Sequence, residues 1–197
     1  MNSPEKQNLQ ATRWYPHRCY LHGAIPAGLS GWLLDPASLT QRLLQLCPES
    51  FQVRLLSQRW DRPRPDEAMV LGMRFGVQAI IRQVQLLCDD SNWIYARTVI
   101  PATSMHGKLQ RLAHLGTKPL GAMLFADPGM RRGIVELARI TRGQQLHADA
   151  LHHSHNRTDT IWGRRSVFWF AGKPLLVSEI FLPDFPAQAA ARPMWKV

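Results

Sequence analysis

Two charged residues stand where a soluble chain can least accommodate them. In the run Ile80-Ile81-Arg82-Gln83-Val84-Gln85-Leu86, the residues Ile80, Arg82, Val84 and Leu86 share one parity, with Gln83 and Gln85 on the other. In a strand those sets lie on opposite faces, so Arg82 is on the more apolar side. A guanidinium facing a core is costly unless a carboxylate or another anion meets it. Glu179 repeats the anomaly with the opposite sign. Leu175, Val177, Glu179 and Phe181 share one face and Leu176, Ser178, Ile180 and Leu182 the other, so this strand is expected to be buried on both sides. A carboxyl there is either raised by desolvation or held down by a cation. Two readings follow. Arg82 and Glu179 pair with each other as a structural salt bridge, or they flank a cavity in which one binds a carboxylate and the other handles a hydroxyl or a proton.

The elements that hold these residues are legible from periodicity. Ser38 is expected to cap a helix carrying Leu39, Leu43 and Leu46, with Pro48 just past its end. Strands are expected over Phe51–Trp60, Val77–Leu87, Trp93–Ile100, Arg165–Phe170 and Pro174–Leu182. Asp89-Asp90-Ser91-Asn92 and Ala171-Gly172-Lys173 supply the turns of two hairpins. Asp61–Asp66 is rich in proline and reads as a surface loop. Thr103 or Ser104 can start a helix with Leu109, Leu112, Ala113 and Leu115, closed by Gly116, and Leu120–Phe125 forms a further helical turn. Gly133–Ile140 suits either period. Residues 1–25 read as an irregular N-terminal extension from which Trp14, Tyr15 and Tyr20 dock on the body. Residues 143–160 are polar and His-rich and read as a mobile segment. The fold class is α+β: one domain, mainly an antiparallel sheet, with helices packed against it.

Composition narrows the partners. Of 197 residues, 24 are Lys or Arg and 14 Asp or Glu, a formal charge of +10 that favours anionic ligands. The basic residues are dispersed, with no basic helix, finger or aromatic ribonucleoprotein motif, so nucleic acid is not the expected partner. No apolar run reaches the length of a membrane span, and the first residues lack a signal peptide's apolar stretch, so the expected location is the cytoplasm. Cys19, Cys47 and Cys88 form no CxxC pair and are expected to be plain thiols. His147, His152, His153 and His155 lie in the polar segment without fixed spacing, and no metal is expected there.

Three motifs then point to a family. Arg97-Thr98-Val99-Ile100-Pro101 resembles the segment that follows the binding arginine in chorismate pyruvate-lyases. Leu115-Gly116-Thr117-Lys118-Pro119-Leu120-Gly121, followed by Leu124-Phe125, is similar to their central loop. Trp162-Gly163-Arg164-Arg165-Ser166, with Gly172-Lys173-Pro174-Leu175-Leu176 and Glu179-Ile180-Phe181-Leu182-Pro183, resembles their C-terminal hairpin. The resemblance covers residues 28–183 and implies a lyase-like domain over 26–197, with 143–160 as an insertion. It also implies a ligand enclosed under flaps and cleavage of chorismate to 4-hydroxybenzoate and pyruvate without metal or cofactor.

Carried over by position, the resemblance makes Arg82 the ligand of the aromatic carboxylate and Glu179 the acidic residue at the hydroxyl end. Leu120 and Leu39 become pocket residues, leucine standing at position 39 where the family form carries methionine of similar volume. Arg164 and Arg165 are either a second cation for the pyruvyl carboxylate or a solvated hairpin entrance. The family's role implies hand-over of 4-hydroxybenzoate to a membrane prenyltransferase in ubiquinone synthesis. The rival reading is a non-catalytic, small-carboxylate-sensing domain of the same fold.

Overall fold

In the computed structural model, which describes residues 9–20, 23–105, 110–113, 115–154 and 156–187, the expected strands assemble into one antiparallel sheet. The strands are β1 (Tyr15–Pro16), β2 (Gln52–Asp61), β3 (Ala79–Cys88), β4 (Ser91–Pro101), β5 (Arg131–Arg132), β6 (Glu136–Thr141), β7 (Thr160–Phe170) and β8 (Lys173–Phe181). Their order is β1-β6-β7-β8-β4-β3-β2, with β5 paired beside β7. The hairpins turn at Asp89-Asp90 and Ala171-Gly172, where all four residues have positive φ, as a two-residue turn matched to strand twist requires. The ambiguous stretch before Ile140 resolves as β6.

Register fixes which side chains are neighbours. One row across the sheet runs Val84–Ala96–Glu179–Arg164–Leu137, and the next runs Gln58–Arg82–Thr98–Val177–Ser166. Both rows face the front. There α1 (Ala27–Leu33) and α2 (Leu39–Leu46) bury Trp32, Leu33, Leu39 and Leu43 against Val84, Leu86, Ile94, Trp162 and Phe181. Ser38 caps α2, its Oγ accepting from Gln41 N at 3.4 Å. The short helix α5 (Leu120–Phe125) and the described part of α4 (Gln110–Ala113) bury Leu124 and Leu112 against Ile80, Ile100, Phe168 and Leu175. Leu109, placed in this helix by periodicity, lies outside the described residues. Ser104, offered as its cap, donates to Pro174 O at 2.8 Å, and the start of the helix lies outside the described residues.

The back face departs most from the sequence reading. The proline-rich stretch leads into α3 (Pro65–Val70): proline is pre-set for a first helical turn, and Glu67 accepts from Arg64 N at 2.8 Å. Glu67 then takes both prongs of Arg97, at 2.7 and 3.0 Å, in a buried pair. Within 143–160 lies α6 (Gln145–Leu151), whose Leu146, Ala150 and Leu151 pack against Tyr95, Ile140, Ile161 and Ile180. Leu146, Ala150 and Leu151 recur at helical spacing, a short stripe outweighed in the sequence by the polar residues around it. Trp14 packs on this cluster and Tyr20 on the front one.

The cysteines correct the expectation of plain thiols. Cys47 and Cys88 form a disulfide, and Cys19 is free and exposed. They are 41 residues apart in sequence. Only the packing of the C-terminal end of α2 against the end of β3 brings them together, which spacing does not report.

Two outcomes follow for stability. Reduction of Cys47–Cys88 is expected to cost about 2–4 kcal/mol, read as a lower urea midpoint under dithiothreitol that is absent in Cys88→Ser. Burial alone raises the Glu67 carboxyl, but the hydrogen bonds and charges of Arg97 and Arg64 outweigh it and hold it below its ordinary 4.5. The contribution of this pair is thus complete above that value and is lost as pH falls through the lowered folded value. Glu67→Gln should flatten the acid loss of stability between neutral pH and about pH 3 while costing about 3–5 kcal/mol at neutrality.

Candidate active site

Arg82 and Glu179 do not pair with each other. Both line one front-face cavity, together with Leu39, Leu120, Arg132, Arg164 and the apolar floor of Val84, Ala96 and Val177. Arg82 is 2% exposed. Its Nη1 donates to Gln58 Oε1 at 3.1 Å and to Gly116 O at 2.8 Å, and its Nη2 to Lys118 O at 3.3 Å. Those acceptors are neutral. Among the described residues no carboxylate lies within ion-pair distance of Arg82, and burial pushes its pKa down. The carbonyls reach it because Gly116, at φ +56°, turns the chain in a conformation that favours glycine.

Glu179 stands opposite Arg164 in register and receives Arg164 Nε at 2.7 Å. Arg164, 1% exposed, also donates Nη1 to Trp32 O at 2.8 Å and Asp35 O at 2.7 Å. Those carbonyls lie at and just beyond the C-terminal end of α1, where backbone acceptors lack helical partners. Gly163 lets β7 close on β8 beside this pair, since a Cβ there would lie 3.2 Å from both Glu179 O and Ile140 Cδ1. Arg164 therefore supports Glu179 from within the fold. Arg165 points to the back face, donating to Glu136 and to Asp66, at 2.7 and 2.6 Å, and is not part of this site.

Arg82 on β3 and Glu179 on β8 are separated by one intervening strand and lie in adjacent rows, so their backbones stand about 12 Å apart. Side chains rising from the same face bound the cavity with a cation at one end and a carboxylate at the other. Leu39 and Leu120 line it from α2 and α5. The arrangement is complementary to a flat apolar body with an anionic group at one pole and a hydrogen-bond donor at the other.

A family model described as chorismate lyase matches residues 10–190. The chain belongs to the chorismate lyase family. A protein of Methylococcus capsulatus named "Probable chorismate pyruvate-lyase" is 40% identical over 79% of this chain and 94% of its own length. One of the same name from Marinobacter nauticus is 35% identical over 92% of both chains. Among solved structures, PhnF from Mycobacterium smegmatis aligns with TM-score 0.53 at 15% identity, over 77% of this chain and 66% of its own. A GntR-family transcriptional regulator from Bacillus cereus aligns with TM-score 0.51 at 12% identity, over 68% of this chain and 93% of its own. These two show a shared fold.

In this chorismate lyase family member the central loop Leu115–Gly121 supplies the carbonyls over Arg82, and the Trp162–Ser166 motif supplies the partner of Glu179. Sequence reasoning missed Arg132. It lies on the two-residue strand β5, after an Asp-Pro-Gly turn with no periodicity to mark it. It missed Gly121 as well, whose role is steric. A Cβ on Gly121 would lie 2.9 Å from Thr40 Oγ1 and 3.1 Å from Ser38 Oγ, so α5 meets the start of α2 only because no side chain intervenes. Gly121→Ala should force the two helices apart at the cavity wall, costing about 1–3 kcal/mol in urea denaturation. An unchanged midpoint would mean that this contact is loose.

Proposed function

We propose that this protein cleaves chorismate into 4-hydroxybenzoate and pyruvate. The carrying observation is the pair of unlike poles on one sheet face: a buried arginine without a carboxylate partner among the described residues, and a glutamate across an apolar floor in the same cavity. Family membership gives the pairing its chemistry.

Chorismate is a dianion with a ring carboxylate, an enolpyruvyl ether and a neighbouring ring hydroxyl. Arg82 receives the ring carboxylate, its planar fork matching two oxygens. Glu179, oriented by Arg164, accepts a hydrogen bond from the ring hydroxyl at the far pole. Loss of the proton from the carbon bearing that hydroxyl breaks its C–H bond. The electron pair enters the ring, the adjacent carbon–oxygen ether bond breaks, and enolpyruvate leaves to become pyruvate by protonation at its methylene. The ring becomes aromatic, which supplies the driving force, so the chemistry calls for no redox cofactor or metal. The protein's task is to hold the reactive conformer, keep water out and stabilise the departing charge.

No helix among the described residues is long and apolar enough to cross a membrane. The reading carries with it a cytoplasmic enzyme whose 4-hydroxybenzoate passes to a membrane prenyltransferase for ubiquinone synthesis. A non-catalytic carboxylate sensor is the alternative suggested by fold likeness alone.

Incubation of the purified protein with chorismate decides between them: 4-hydroxybenzoate and pyruvate should form in equal amounts, and binding without turnover would leave a sensor. Arg82→Ala should lose most affinity for both chorismate and 4-hydroxybenzoate while remaining folded. Near-normal affinity for both would remove Arg82 from the site. Glu179→Gln keeps the volume but replaces the charge facing Arg164, so turnover per folded molecule should fall by about 10-fold or more. A large loss of melting temperature with turnover unchanged would make Glu179 a purely structural partner of Arg164.

A further inference from the structure

The cavity holds more positive charge than its glutamate offsets. Arg82, Arg132 and Arg164 all line it, and Glu179 is the only acidic residue lining it among the described residues. Glu179 is engaged by Arg164. Arg82 and Arg132 are therefore both without a carboxylate partner there. Arg132 donates Nε to Ser166 Oγ at 3.1 Å and Nη1 to Asp35 O and Pro36 O at 3.2 and 2.9 Å. These acceptors are neutral and fix its direction without compensating its charge. Burial first, and then repulsion from Arg164, push its pKa down to about 10 against the weaker pull of the Glu179 and Asp35 carboxylates, which still leaves the guanidinium charged at neutral pH. Two guanidiniums in one partly buried cavity, neither ion-paired to a carboxylate among the described residues and Arg132 only weakly offset by Glu179 and Asp35, are best balanced by a ligand that brings two negative charges.

Position assigns the second charge to a particular part of the ligand. Arg132 pairs with Phe168 of β7, and its guanidinium lies over the Phe168 ring, 5.3 Å from the centroid. It thus approaches from the β7 side, beyond Glu179, whereas Arg82 approaches from β3 on the other side. Arg164, which might have filled this role, is spent on Glu179 and the end of α1.

We infer that Arg132 forms a second carboxylate subsite at the Glu179 end of the cavity and receives the carboxylate of an ether side chain next to the ring hydroxyl. The site is thereby built for a ring bearing two carboxylates, one at each pole. This rests on the chorismate reading and names the residue that selects the dianion over the ring-only product. When the ether bond breaks, Arg132 stays with the departing enolpyruvate, whose charge it balances, and Arg82 stays with the aromatic acid.

The test compares ligands that differ by one charge. Wild-type protein is titrated with 3-(carboxymethoxy)-4-hydroxybenzoate and with the methyl ester of its side-chain acid, which keeps the shape and removes the second charge. The diacid should bind at least about 10-fold more tightly, and Arg132→Gln should erase that preference while leaving the affinity for 4-hydroxybenzoate within about 3-fold. Arg132→Lys should restore part of it. In turnover, Arg132→Gln should lower kcat/KM for chorismate by about 100-fold. Equal binding of diacid and ester by the wild type, or equal loss of diacid and 4-hydroxybenzoate in Arg132→Gln, would overturn the subsite. The wild-type ligand comparison needs no variant to fold and no turnover. A protein that prefers the diacid but leaves chorismate intact would refute the lyase reading and keep the subsite.

Discussion

The site depends on the ion pair between Arg164 and Glu179. Both side chains rise from directly opposed positions on adjacent strands, so the sheet's own register sets their separation. A buried pair of this kind is weak evidence for stability, because desolvating two charges offsets most of their attraction. Its effect here is geometric. Arg164 bonds at once to Glu179 on β8 and to two carbonyls at the end of α1, and so joins the sheet, the helix covering it and the acidic pole of the cavity in one arrangement. Removing the glutamate would leave a fully buried guanidinium facing only backbone oxygens. Removing the arginine would free the carboxylate to rotate away from the ring.

The back face uses the same residue types for a different end. Arg97 takes Glu67, Arg165 takes Glu136 and Asp66, and Arg64 takes Glu67 and Asp149. These charges are closed among themselves and fasten α3 and α6 to the sheet. On the front face, Arg82 and Arg132 are held in position by neutral oxygens. An arginine held by carbonyls and an amide is oriented but still short of a counter-ion. That difference separates an arginine closed into the fold from one left open to an anion.

Much of this was legible in the sequence, and the reason is parity. Alternation placed Arg82 and Glu179 on the apolar faces of their strands, and both do line the cavity, with Leu39 and Leu120, which came from motif resemblance. Parity does not say who pairs with whom across the sheet. The idea that Arg82 and Glu179 neutralise each other failed because β4 runs between their strands. Arg164 and Arg165 are consecutive, so a strand sends them to opposite faces. Treating them together as one second cation overlooked that constraint. The elements that periodicity missed, α3 and α6, are short helices of six and seven residues. Each shows too few turns to stand out against proline or histidine. Arg132 had no signal at all, since a two-residue strand has no period.

On the proposed chorismate chemistry, the neutral cradle that readies Arg82 for substrate also opposes release of product. Before binding, the guanidinium is buried with polar but uncharged company, and a ligand carboxylate is the only full counter-charge it meets among the described residues. Cleavage removes the enolpyruvyl carboxylate but leaves the ring carboxylate unchanged, so the contact with Arg82 is as strong in the product complex as in the substrate complex. On that chemistry, departure of the aromatic acid would return Arg82 to its neutral acceptors, among them Gly116 O and Lys118 O. Interactions equal in substrate and product add affinity without speeding the chemical step. An arginine that secures recognition in this way would also work against turnover. The charge lost on cleavage at the other pole is the part of the binding energy that the reaction itself can release.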